Sequence, residues 1–147
     1  MAVPVLELVR EDYEEREYLW TGNISEELFA YDCRYTDPTL SFVGLRTFQR
    51  NMQGLVPWVE RLVVRDTRRC ELLGEPVLDK SSNSVTARWR MVGDLKLFWK
   101  PRIDVVGRTV FTYGDLSDGG RVYRYDETWA TAPSEALMQL LRPRRGD

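Results

Sequence analysis

The order of apolar and polar positions divides the chain into helical and extended stretches. Residues 4–20, PVLELVREDYEEREYLW, carry Val5, Leu6, Val9, Tyr13 and Trp20 at helical spacing, with acids and arginines between them. Pro4 suits a first-turn position, and Gly22-Asn23 supplies a stop, so one helix is predicted over 4–20. Ser25 reads as an N-cap with Glu26 and Glu27 in the first turn of a short second helix bearing Leu28, Phe29 and Tyr31. Cys33–Gly44 reads as an extended piece, a turn at Asp37-Pro38 and a second extended piece. A third helix begins near Leu45, with Phe48, Met52, Leu55 and Val59 at helical spacing. Gly54 and Pro57 predict a break or kink inside it.

After about Leu62 the period changes to two. Residues 63–79 and 84–94 are two candidate strands joined by a turn at 80–83, and in the second Val85, Ala87, Trp89 and Met91 alternate against Thr86, Arg88 and Arg90. Residues 95–116 read as one bent strand or two pieces, since Pro101 interrupts a ladder. A hairpin loop at 115–121 leads into the last strand, 121–131, where Tyr123, Tyr125, Glu127 and Trp129 share a face by alternation. Pro133–Pro143 closes the chain as a short helix with Leu137, Met138, Leu140 and Leu141, ahead of a polar tail. Helices first, then strands, then a closing helix define an α+β fold. It reads as one domain over 1–147, with a core at about 5–131, a C-terminal helix at about 133–142 and the tail.

Composition narrows the chemistry. With 43% apolar and 30% charged residues the chain is globular, and a net charge of −2 argues against general nucleic-acid binding. No apolar run approaches the roughly 18 residues that span a bilayer. The N-terminus turns acidic within ten residues and reads as neither a secretory signal nor a transit peptide. The absence of histidine excludes His bases, Ser-His-Asp and Cys-His nucleophile systems, and imidazole-ligated zinc. Cys33 and Cys70 read as buried free thiols, and no metal or other cofactor is expected.

The element order, the segment YTDPTLSFVGLRTFQRNM at 35–52 and Gly119-Gly120 resemble the NTF2-like (SnoaL-like) cone fold. Asp37-Pro38 before Gly44-Leu45-Arg46-Thr47-Phe48, then Arg88-Trp89-Arg90, Trp99-Lys100-Pro101, Gly107 and Glu127-Thr128-Trp129 resemble, more narrowly, the DUF2358 family. The resemblance implies N-terminal helices packed on a curved antiparallel sheet, and a soluble intracellular protein, with chloroplast or mitochondrion as the compartment. It brings no reaction with it. In ketosteroid-isomerase-like members of the superfamily the Asp-Pro aspartate is the proton-shuttling base, which points to Asp37. The rest of that site is not matched: Tyr13 and Tyr18 flank the place of the helix-1 tyrosine, and the second aspartate falls near Thr112.

Two sets of candidate residues follow. Trp89, Trp99, Tyr113, Glu127 and Trp129 would line the cone as a ligand pocket, where burial would raise the pKa of Glu127 and suit it to acid–base work. The competing reading packs the aromatics as core and pairs Glu127 with an arginine, Arg88, Arg90 and Arg124 all lying on the predicted sheet. Asp37 is the second candidate, set against a turn role in which its side chain bonds the next backbone amides. The clusters RPRRGD and VVRDTRR read as solvated charge, and residues 114–120 as a hairpin turn rather than a calcium loop. The favoured function is a module that binds a small apolar ligand or a protein partner without catalysis, with a homodimer through the sheet face. The alternatives are a cofactor-independent lyase or isomerase using Glu127 or Asp37 with Tyr113 as proton donor, and a scaffold subunit of an organellar assembly.

Overall fold

The computed structural model describes residues 4–115 and 119–144. Four α-helices, α1 (Val5–Glu14), α2 (Tyr18–Thr21), α3 (Leu45–Leu62) and α4 (Pro133–Leu141), accompany seven strands. These are β1 (Phe29–Thr36), β2 (Ser41–Val43), β3 (Arg69–Leu72), β4 (Val77–Asp79), β5 (Ser84–Asp94), β6 (Arg102–Tyr113) and β7 (Val122–Trp129). One sheet runs β2-β1-β7-β6-β5-β3, and β4 also pairs with β5. Every pair is antiparallel except β1 with β7, so the sheet is mixed rather than wholly antiparallel. Hairpins force their strands to run antiparallel, but β1 and β7 are joined through nearly the whole chain and are free of that constraint. No helix among the described residues is long and apolar enough to cross a membrane.

The first expected helix is two helices. Residues 11–17 carry five acids, and carboxylates are unfavourable at a helix C-terminus, where the last carbonyls carry partial negative charge. α1 ends at Glu14, and Glu17 takes a left-handed conformation, φ 48°, before α2 begins. In an unbroken helix Tyr13 and Tyr18 would point about 140° apart. The break instead brings their hydroxyls to 3.0 Å, both side chains being buried.

The expected second helix is a single 3-10 turn, Glu26–Leu28, and Phe29 already belongs to β1. α3 runs unbroken through Gly54 and Pro57. Pro57 lacks the N–H that would bond the Gln53 carbonyl, and this part of the helix is exposed, so water can take the vacated bond. The first candidate strand, 63–79, is a bridge residue, a 3-10 turn and two short strands, whereas β6 begins immediately after Pro101. The hairpin loop at 115–121 and the tail lie partly outside the described residues.

The concave face of the sheet carries the core. Tyr35 stacks on Phe48 with ring centroids 4.1 Å apart, and Phe29, Phe42, Phe111 and Tyr125 pack around them. Cys33 and Cys70 are buried free thiols. This half of the interior is therefore filled with rings, and a cavity lies toward the other end of β5 and β6.

Candidate functional site

The site begins at a glycine. In the ladder Gly107 of β6 stands between Trp89 of β5 and Trp129 of β7. A Cβ there would lie 2.3 Å from Trp89 Cζ2 and 2.8 Å from the Thr128 carbonyl oxygen. The missing side chain lets the Trp89 indole lie flat across the sheet, where its Nε1–H donates to Thr109 Oγ1 at 2.9 Å. Trp89 and Thr109 are both buried.

β7 supplies the acid. Glu127 lies between its i−2 and i+2 neighbours on one face, and both donate to it. The Tyr125 hydroxyl bonds Oε1 at 2.9 Å, and the Trp129 indole N–H bonds Oε2 at 2.9 Å. Tyr123 does not share this face. The register of β7 on β6 shifts between Thr112 and Tyr113, a bulge that turns Tyr123 outward to 49% exposure while Val122 and Tyr125 stay buried.

Behind Glu127 runs a chain of hydroxyls. Tyr125 lies 2.8 Å from Tyr18, and Tyr18 lies 3.0 Å from Tyr13, whose other hydroxyl neighbour is Thr109. The chain thus joins Glu127 to Trp89 through the protein interior. Tyr18 donates to Tyr13 and Tyr125 donates to Glu127, and each hydroxyl has one proton to give, so the two directions of donation part at the Tyr18–Tyr125 contact.

No arginine or lysine pairs with Glu127 among the described residues. Arg90 is held bidentately by Asp104, and Arg124 forms an ion pair with Asp126 at 3.1 Å. The ion-pair expectation fails because Arg88, Arg90 and Arg124 all lie on the opposite face of the sheet. Burial pushes the Glu127 carboxyl above its ordinary value, the bonds from Trp129 and Tyr125 pull it part of the way back, and the charge of Asp37 raises it again. The residue is only half-buried, because one side of it opens on a cavity, yet protein packed round the carboxyl removes most of its water.

That cavity has a volume of about 410 Å³ and lies on the concave face at the open end of β5 and β6. Trp89, Met91, Ile103, Val105, Trp129 and Glu127 form its sheet side, and Leu137 and Leu140 of α4 are on the far wall. α4 sits where β7 ends and leaves one edge of β6 without a strand. There the Gln139 amide takes the place of a strand, accepting from the Asp104 N–H at 2.7 Å and donating to its carbonyl at 2.8 Å. Trp99 anchors the end of the helix through Nε1–H to the Leu140 carbonyl, 2.8 Å.

The sequence-predicted residues therefore separate. Trp89, Glu127 and Trp129 meet at the cavity. Trp99 stands behind α4 and holds it in place. Tyr113 lines a different groove, of about 500 Å³, beside the first turn of α1. Asp37 accepts from the Thr39 N–H and hydroxyl at 2.8 Å each, a turn role, while its charge still reaches Glu127. Sequence reasoning did not assign α4 as a cavity wall or the Tyr13–Tyr18 pair as support. The apolar stripe of the terminal helix was the signal for the first, and the acid-rich run at 11–17 for the second.

Helices against the concave face of one mixed, curved sheet define an NTF2-like fold. The chain belongs to the DUF2358 family, described as uncharacterized conserved proteins, whose profile matches residues 4–124. None of the curated proteins matches it significantly. Among solved structures it is similar to BvnE pinacolase from Penicillium brevicompactum, with TM-score 0.64 and 10% identity over 96% of this chain and 94% of that one. It is also similar to an NTF2-like protein of unknown function from Burkholderia pseudomallei, with TM-score 0.57 and 16% identity over 92% and 94% of the two chains. A protein of SnoaL-like polyketide-cyclase type from Jannaschia gives TM-score 0.55 and 14% identity over 96% and 94%. At these identities the likeness is one of fold.

Proposed function

We propose that the chain binds a small, mainly apolar molecule in the cavity between the sheet and α4, with Glu127 as the polar anchor. One observation carries this reading: among the described residues, an apolar cavity of about 410 Å³ contains a single ionisable side chain, and that side chain has no ionic partner. Cavities of roughly 300–1,000 Å³ with few, fixed polar groups are the usual form of small-molecule sites. Tyr125 and Trp129 hold the carboxyl in one orientation, so the anchor needs no rearrangement when a ligand arrives.

Native mass spectrometry of gently purified protein, paired with titration by an apolar fluorescent probe, tests the reading. A co-purifying small molecule, or probe binding that Ala136→Trp abolishes by filling the cavity, supports it. Absence of a bound mass together with probe binding unaffected by Ala136→Trp overturns it.

A second reading, acid–base catalysis by Glu127, draws on the raised carboxyl and the hydroxyl chain behind it. It expects turnover of a bound substrate to be lost in Glu127→Gln while affinity for apolar ligands persists. A homodimer through the convex face is a separate proposal. That face carries Arg88 directly opposite Arg108, with Asp104 and Asp126 nearby, so such a dimer would be ionic. Sedimentation at low and high salt tests it, and a mass that stays monomeric at low salt excludes it.

A further inference from the structure

We infer that the ligand of the Glu127 cavity is an organic cation, an apolar amine whose ammonium group sits on the Glu127 carboxylate beside Trp129. The inference rests on the binding reading above and goes further, because it names the charge of the ligand.

Both donors to Glu127, the Tyr125 hydroxyl and the Trp129 indole, are neutral, so they satisfy its geometry without cancelling its charge. No arginine or lysine is among the cavity-lining residues. Among the described residues, the charge felt at Glu127 from elsewhere is that of Asp37, which has the same sign. Arginines are abundant in the chain, but those on β5 and β7 are turned to the other face, where Arg90 and Arg124 are engaged by aspartates. A carboxylate desolvated without a counter-charge is costly to keep, and a cationic ligand would remove that cost on binding.

The surrounding groups suit such a ligand. A carboxylate has about four acceptor positions, and two are used, so both oxygens keep capacity for an ammonium N–H. Trp129 meets the carboxylate with its N–H edge, which leaves the faces of the ring to either side. A cation near an indole face gains a further attraction. Met91, Ile103, Val105 and Leu140 provide the surface for the apolar body of the molecule.

The test uses phenylbutylamine, phenylbutanol and phenylbutyric acid, which share one skeleton and differ in the head group. Their affinities for the full chain and for Glu127→Gln are measured by calorimetry near neutral pH. The amine should bind roughly 10- to 100-fold more tightly than the alcohol, as a charge-assisted bond predicts. The acid should bind more weakly than either, and Glu127→Gln should reduce the amine-to-alcohol ratio to about one with the alcohol little changed. An amine no tighter than the alcohol, or a preference that survives in Glu127→Gln, overturns the inference and leaves apolar binding standing. Binding of none of the three, with no probe binding, removes the underlying reading as well. Unfolding of Glu127→Gln would be visible as loss of alcohol binding, and in that case the wild-type ratio alone decides.

Discussion

Replacing Gly107 with alanine puts the packing account of this site to a direct measurement. The added methyl would lie 2.3 Å and 2.7 Å from Trp89 Cζ2 and Cη2, and 2.8 Å from the Thr128 carbonyl oxygen. Carbon atoms in contact sit about 3.5–4.0 Å apart, so the indole would have to shift by about 1.2–1.7 Å. It has little room, being 2% exposed and tied to Thr109 by its N–H. Overpacking of this kind costs about 1–3 kcal/mol, and leaving the buried Thr109–Trp89 bond unmade adds about 1–3 kcal/mol. The expected loss is about 4 kcal/mol, a large part of the roughly 5–15 kcal/mol that holds a domain folded. Melting should fall by about 8–16 °C, at the few degrees per kcal/mol usual for chains of this size. Urea unfolding followed by far-ultraviolet circular dichroism measures the loss, since fluorescence would report the moved indole itself. Trp89→Leu is the control: once the indole is gone, at least half of the alanine's cost should vanish. Residues in contact couple in this way, and distant ones add. A Gly107→Ala protein within about 1 kcal/mol of wild type, or an alanine cost that is unchanged in the Trp89→Leu background, would refute the reasoning.

Three further outcomes follow from the same residues. Glu127 has a folded pKa raised above its ordinary 4.5, so its stability contribution is full below that value and is lost as pH rises through the folded pKa. Glu127→Gln should match wild type near about pH 4 and be the more stable of the two near about pH 7, read from thermal melts, with a constant difference across pH counting against it. Asp94 acts in the opposite sense, held low by its bond from Arg102, which is why the comparison is made against wild type at each pH. Tyr18→Phe removes the hydroxyl shared by Tyr13 and Tyr125 and should cost about 2–3 kcal/mol in urea unfolding, whereas a loss under about 0.5 kcal/mol would mean the chain of hydroxyls contributes little. Burial pushes the Cys33 and Cys70 thiols up to about 12, so a thiol reagent should label them only on unfolding, and rapid labelling of native protein would contradict their burial.

The parts of this protein legible in its sequence are those fixed by short periods. Tyr125, Glu127 and Trp129 are two residues apart in a strand, so alternation alone makes them neighbours and gives the acid its two donors. Tyr123 follows the same rule in sequence and escapes it in space, because one extra residue in β7 inverts the alternation, and a bulge has no marker in composition. The Tyr13–Tyr18 contact was hidden for the converse reason. The apolar stripe of 4–20 looked continuous, and the acids that end α1 are equally good residues for the exposed side of a longer helix.

The charge of the site could have been read more closely from one tripeptide. In Arg88-Trp89-Arg90 the period of two places the indole on one face and both guanidinium groups on the other. Any acid that shares the face of Trp89 is therefore out of reach of both. Gly107 shows which acid that is, because a glycine between two strands is where two large side chains can meet, and its partners in the ladder are Trp89 and Trp129. Trp129 brings Glu127 with it on the same face. The arrangement that leaves Glu127 without a counter-ion is thus built from alternation and one missing side chain, and the arginines that might have neutralised it serve Asp104 and Asp126 on the far side of the sheet.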